Sequence, residues 1–107
     1  QAIEANGMLF ISGQIALIPS TGELQMESLE LETEQVMKNL DDVLKAAGMD
    51  FSNVVKSTIF LKNIGDFPKV NEVYGSRFSA QPPARETVEV SGLPKGVNVE
   101  ISCIAVK

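Results

Sequence analysis

The sequence predicts an α+β domain in which two helices cover one face of a mixed sheet, in the order β-β-α-β-α-β-β. Three observations predict it. Asn6-Gly7 stands between two short apolar runs, the pattern of a two-residue hairpin turn. Two later stretches, after Ser28 and after Asp66, carry apolar residues at helical spacing. Val54–Leu61 and Val97–Val106 are rich in β-branched residues, and in the second of them Asn98, Glu100 and Ser102 recur every second residue, which puts them on one face of a strand.

Each element has its own warrant. Ala2–Ala5 and Met8–Ile11 pair through the Asn6-Gly7 turn, and the second strand continues through Ser12-Gly13-Gln14-Ile15. A glycine inside an apolar strand marks a bulge or a close approach to the backbone, so Gly13 is read as a bulge, or as a surface against which a ligand or neighbouring subunit presses. Pro19-Ser20-Thr21-Gly22 is a turn. Ser28 caps a helix that runs to about Ala47 and stops at Gly48, with Val36, Leu40, Val43 and Leu44 facing inward. Glu30, Glu32 and Glu34 crowd its first turns, where the helix dipole favours negative charge, and are expected to form a solvated face rather than a metal site.

Val54–Leu61 is expected as a central strand. Asp66 then caps a second helix to Phe78, with Pro68 in its first turn and Phe67, Val70, Val73, Tyr74 and Phe78 inward. Tyr74 is expected as a core residue with its hydroxyl at the rim, and Asn71 either on the helix surface or bonded to a loop. Pro82-Pro83 break that helix, and strands from Arg85 to Val90 and Val97 to Val106 follow, joined by a Gly/Pro loop. Helices on one side leave the other sheet face bare, yet the central strands are apolar on both faces. Self-association is the simplest cover.

Composition narrows function. The 107 residues suit one domain, residues 1–107, and 44% hydrophobic content without a span-length apolar run or leader fits a soluble, cytoplasmic protein without membrane contact. Nine basic against fourteen acidic residues give a net charge of −5, the wrong sign for capturing a phosphate backbone, so nucleic acid is not an expected partner. The lone Cys103 is expected to be a buried structural thiol, compatible with a reducing compartment. There is no histidine, which removes Ser-His and Cys-His nucleophiles and ordinary zinc sites. Chemistry must rest on carboxylates, arginine, hydroxyls, backbone groups and water.

Glu100 and Arg85 carry the candidate chemistry. A carboxylate in the middle of an otherwise buried strand needs a partner, and Arg85, at the start of the preceding strand, is the best candidate. The pair reads either as a catalytic site or as a permanent salt bridge that locks strands or subunits together.

These residues carry a resemblance. Through Ser12-Gly13-Gln14-Ile15, VVKSTIFLK, DFPKVNEVYGSRF, and PPARETVEV followed by LPKGVNVEISCIAV, the chain resembles the YjgF/RidA family of enamine and imine deaminases over essentially its whole length. The last block, Pro-Ala-Arg, then Leu-Pro, then apolar-Glu-Ile, is the specific one. The resemblance implies a chorismate-mutase-like α+β fold assembled as a homotrimer, sheets packed inward, with a pocket at each subunit boundary. It implies hydrolysis of 2-aminoacrylate and related enamines or imines to 2-oxo acids and ammonia, without metal or cofactor. Arg85 would hold the substrate carboxylate, Glu100 would position substrate or water, and Ser12, Gly13, Asn71 and Thr87 would complete the pocket. Other family members are described as endoribonucleases or translation inhibitors, and a non-catalytic trimeric ligand-binding role is a third reading.

The chain departs from the family pattern at three points. Glu86 stands where a small or apolar residue is usual; strand alternation should turn it away from Arg85, whereas a bulge would bring it close enough to compete with a substrate carboxylate. Thr87 stands where many members have cysteine. A pocket tyrosine of many relatives lies upstream of the segment beginning at Gln1.

The chemistry suits the residues. Arginine's planar fork grips a carboxylate through two parallel hydrogen bonds, and an imine needs mainly orientation, a placed water and a proton shuttle.

Overall fold

A computed structural model describes residues 1–79 and 81–107. Strands β1 (Ala2–Ala5), β2 (Met8–Gln14), β3 (Val54–Leu61), β4 (Ala84–Glu89) and β5 (Val99–Val106) form one sheet in the order β1-β2-β5-β3-β4. All neighbours are antiparallel except β3 and β4. A parallel pair needs a crossover, and helix α2 (Phe67–Gly75) supplies it; helix α1 (Leu29–Ala46) connects β2 to β3 on the same side. The expected two-helix, mixed-sheet architecture is therefore present.

Local chemistry sets the joints. Asn6 and Gly7 have φ of 53° and 77°, both left-handed, as a type I′ turn requires, and Ala5 pairs with Met8 across it. Ser28 Oγ accepts from the Leu31 N–H at 3.1 Å, a cap that stabilises α1 by about 1 kcal/mol. The helix stops at Gly48, whose φ of 74° suits glycine. The core lies between the helices and one sheet face, where Val36, Leu40 and Leu44 of α1 and Val70 and Val73 of α2 pack on Ile11, Ile59, Leu61 and Ile101.

The opposite sheet face carries apolar side chains into solvent: Ile3 is 69% exposed and Phe10 and Val88 each 42%, beside half-buried Phe60 and Ile104. A solvated face of a sheet is ordinarily polar, and these exposed apolar side chains depart from that pattern.

Four expectations change. Glu32 is not on a solvated face but is buried, its carboxylate accepting from the backbone N–H groups of Asn98 and Val99 and from Asn98 Nδ2. Residue 32 is four before Val36 and eight before Leu40, so it shares their inward stripe. Asn98, expected on one strand face with Glu100 and Ser102, precedes β5 and turns to Glu32 instead. The second helix is shorter than Asp66–Phe78. Residues 64–66 form a 3-10 turn, and Asp66, with φ −78° and ψ −8°, is already in a helical conformation and makes no side-chain cap; Asn63 caps that turn by accepting from the Gly65 N–H at 2.9 Å. Finally, the Tyr74 hydroxyl is not at the rim: it is buried and makes no hydrogen bond among the described residues.

Candidate functional site

Arg85 stands on the edge strand β4, opposite Ser57 of β3, with its side chain on the helix side of the sheet. Its guanidinium carbon lies 4.9 Å from the Phe67 ring centroid and 5.4 Å from that of Tyr74, and Nη1 donates to Asn71 Oδ1 at 2.5 Å. Phe67, Asn71 and Tyr74 are spaced i, i+4, i+7, so α2 presents two aromatic faces and one amide oxygen along a single stripe. Both rings lie within cation–π distance and hold the guanidinium in place, and the hydrogen bond to the amide orients it. Asn71 therefore serves neither as an idle surface residue nor as a loop partner; it orients Arg85.

The arginine remains exposed and, among the described residues, has no carboxylate partner. Thr87 follows two residues later on the same side, its hydroxyl buried and without a partner among the described residues. Glu86 points to the other face and pairs with Lys56 at 3.2 Å, and the β3–β4 ladder runs without a register shift, so it does not compete for Arg85.

Glu100 belongs to the opposite face. It is paired with Phe60 in the β3–β5 ladder and half-buried on the open side of the sheet. The β2–β5 register shifts between Ile11 and Gln14, which makes Gly13 part of a bulge. What approaches Gly13 is Glu100 of the same chain: a Cβ at Gly13 would overlap the carboxylate and would lie 2.6 Å from Glu100 Cδ and 2.8 Å from Cγ. Ser12 Oγ donates to the Gln1 carbonyl oxygen at 2.8 Å, tying β1 to this end of β2.

The candidate residues thus form two groups. Arg85, Asn71 and Thr87 gather on the helix side of β4, while Glu100, Gly13 and Ser12 gather at the β2–β5 end of the open face. The expectation that Arg85 neutralises Glu100 within the chain is corrected. Their β3 neighbours, Ser57 and Phe60, are three residues apart, and an odd separation along a strand means opposite faces.

Beneath Arg85 the side chains of Ser57, Tyr74 and Cys103 are buried. Ser57 Oγ and Cys103 Sγ lie 3.5 Å apart in the core, and burial pushes the Cys103 thiol up to about 11. Burial also raises the Tyr74 phenol, an effect that the nearby Ser57 hydroxyl and the Arg85 charge partly offset. Both groups stay protonated at neutral pH, and the thiol is buried, as expected from sequence. The aromatic stack under Arg85 was missed. Its signal was present in the 67/71/74 spacing, which puts Asn71 on the same stripe as two residues already read as inward.

The fold and these two clusters define an α+β protein with an arginine held against two rings at a sheet edge, without a carboxylate partner among the described residues, and a carboxylate on the open sheet face. The family model described as Endoribonuclease L-PSP matches residues 1–107. The chain is 51% identical over 105 residues to Reactive Intermediate Deaminase A, chloroplastic, of Arabidopsis thaliana, covering 98% of this chain and 56% of that protein. It is 46% identical over 107 residues to the Mus musculus 2-iminobutanoate/2-iminopropanoate deaminase, covering 100% of this chain and 79% of that one. The structure of E. coli TdcF with bound serine superposes with a TM-score of 0.94 at 35% identity, covering 100% of this chain and 86% of that chain. The chain belongs to the YjgF/RidA family. It spans little more than half the length of the plant relative, and among the described residues no helix is long and apolar enough to cross a membrane.

Proposed function

We propose that residues 1–107 act as one domain that hydrolyses small 2-imino and 2-enamino acids to 2-oxo acids and ammonia, without metal or cofactor. The observation that carries this reading is Arg85: a guanidinium held by Asn71 and two rings, exposed, with no carboxylate partner among the described residues. Such a fork suits a planar substrate carboxylate. Relatives named as imine deaminases, and a relative holding an amino acid, support a ligand of this class.

In this scheme Arg85 grips the carboxylate and Glu100 serves the adjacent carbon. An enamine first takes a proton at C3, which leaves its nitrogen as the iminium. Water then adds to C2 as Glu100 accepts its proton. Glu100 returns that proton to nitrogen and then takes the new hydroxyl's proton as the C–N bond breaks, so that the 2-oxo acid forms and ammonia leaves. Thr87 and the backbone around Gly13 and Ser12 line the space between.

One chain keeps the two groups on opposite faces, so the reading requires a second subunit. A homotrimer of the chorismate-mutase type, with sheets facing inward, would cover Phe10, Phe60 and Ile104 and bring Arg85 of one subunit towards Glu100 of the next. A reducing, cytoplasmic setting suits the free Cys103.

An endoribonuclease reading is favoured by names alone, such as the family model's description. The net charge of −5 and the absence of histidine oppose it.

The test couples a threonine or serine dehydratase to this protein and follows 2-oxo acid formation for wild type, Arg85→Ala and Glu100→Ala. Acceleration by wild type that Arg85→Ala abolishes with assembly unchanged supports the reading, and no acceleration by wild type rejects it. RNA cleavage that survives Arg85→Ala would belong to another site or a contaminant.

A further inference from the structure

We propose that Glu32 is a positioning residue for Glu100, an inference that rests on the deaminase reading above. Among the described residues the Glu100 carboxylate makes no hydrogen bond or ion pair of its own, so its place depends on the backbone that carries it and on the space left by Gly13. That backbone is held from α1. Glu32, 1% exposed, accepts from the Asn98 N–H at 2.8 Å and the Val99 N–H at 3.3 Å through Oε2, and from Asn98 Nδ2 at 2.8 Å through Oε1. On the other side, the Asn98 carbonyl accepts from the Lys62 N–H at 3.1 Å. The Val97–Asn98 and Asn98–Val99 peptides, which lead into Glu100, are therefore clamped between a helix and β3.

A carboxylate is a costly means of securing a strand end, since burying one is unfavourable unless donors saturate it. Here the donors are those of the residues leading into Glu100, and the next side chain along is the carboxylate that would handle water and proton. An error of about 1 Å in such a group costs orders of magnitude in rate, so a stiff anchor one residue upstream has a catalytic use. Substrate affinity is set elsewhere, by Arg85 on β4.

The test compares Glu32→Ala, Glu32→Gln and Asn98→Ala with the core variant Leu44→Ala, measuring kcat, KM and amide hydrogen exchange across residues 97–101 in the full chain. Glu32→Ala is expected to lower kcat about tenfold with KM within about twofold, and to speed exchange at Asn98 and Val99. Glu32→Gln restores kcat, because its carbonyl still receives the backbone N–H groups and the Asn98 amide can turn to accept from the new Nε2. Asn98→Ala removes only the side-chain bond and gives a smaller kcat loss of the same kind, which serves if Glu32→Ala does not fold. Leu44→Ala lowers stability and leaves kcat unchanged. The inference is overturned if wild type turns over and kcat in the Glu32 and Asn98 variants stays with that of Leu44→Ala, or if exchange at 97–101 is unmoved. Wild type without turnover rejects the deaminase reading itself and this role with it.

Discussion

Arg85 and Glu100 lie on opposite faces of one sheet, two strands apart, with β3 between β4 and β5. Strand spacings put their Cα atoms roughly 14 Å apart. A catalytic use of both groups on one small substrate therefore joins two chains. Mixing Arg85→Ala with Glu100→Ala chains, each inactive alone, is expected to restore part of the activity once subunits exchange, because some boundaries then hold one intact arginine and one intact glutamate. Failure of the mixture to regain turnover, with subunit exchange verified by mass, would refute a shared site.

Gly13 has no side chain because the Glu100 carboxyl occupies that space. Gly13→Ala should displace Glu100 and lower kcat at least tenfold while KM changes little. Steady-state kinetics with a folded variant checks this, and an unchanged kcat would show that the glutamate tolerates the shift.

Asn71 orients the Arg85 fork. Asn71→Ala should raise KM by about tenfold, the scale of one hydrogen bond to a charged group. Asn71→Asp should do more damage, since a carboxylate 2.5 Å from Nη1 would compete with the substrate's own. Comparing KM in the two variants decides it, and equal effects would mean that Asn71 acts by volume alone.

The open sheet face predicts assembly. Phe10→Glu and Val88→Glu place charge on an apolar surface and should convert the oligomer to a smaller species. Light scattering measures the change; a wild-type monomer in solution would remove the basis for an intersubunit pocket.

Cys103 predicts an alkaline limit. The fold favours the neutral thiol, so the native state keeps a proton that the unfolded chain releases near 9.0, and stability falls as pH rises from there to about 11. The loss is on the order of 3 kcal/mol across that window, with Tyr74 adding in the same direction at higher pH. Denaturant melts of wild type and Cys103→Ala should show a smaller alkaline drop in the variant, and iodoacetamide should label Cys103 only on unfolding.

The sequence by itself determined the element order, the Asn6-Gly7 turn, the Ser28 cap, the buried thiol and the bare sheet face, because each follows from the spacing or conformation of a few neighbouring residues; at Gly13 it left a bulge and a pressed surface both open. It also identified Arg85 and Glu100 as the groups to watch. Only the tertiary structure decided which face each occupies, since that depends on the register of β3 against both β4 and β5, and a shift of one residue would reverse it. The same holds for Glu32 and Asn71. Both look like ordinary polar residues on a helix until packing brings Asn98 to one and Arg85 to the other, across 66 and 14 residues of chain. Periodicity fixes the direction in which a side chain points; what it meets there is set by the rest of the fold.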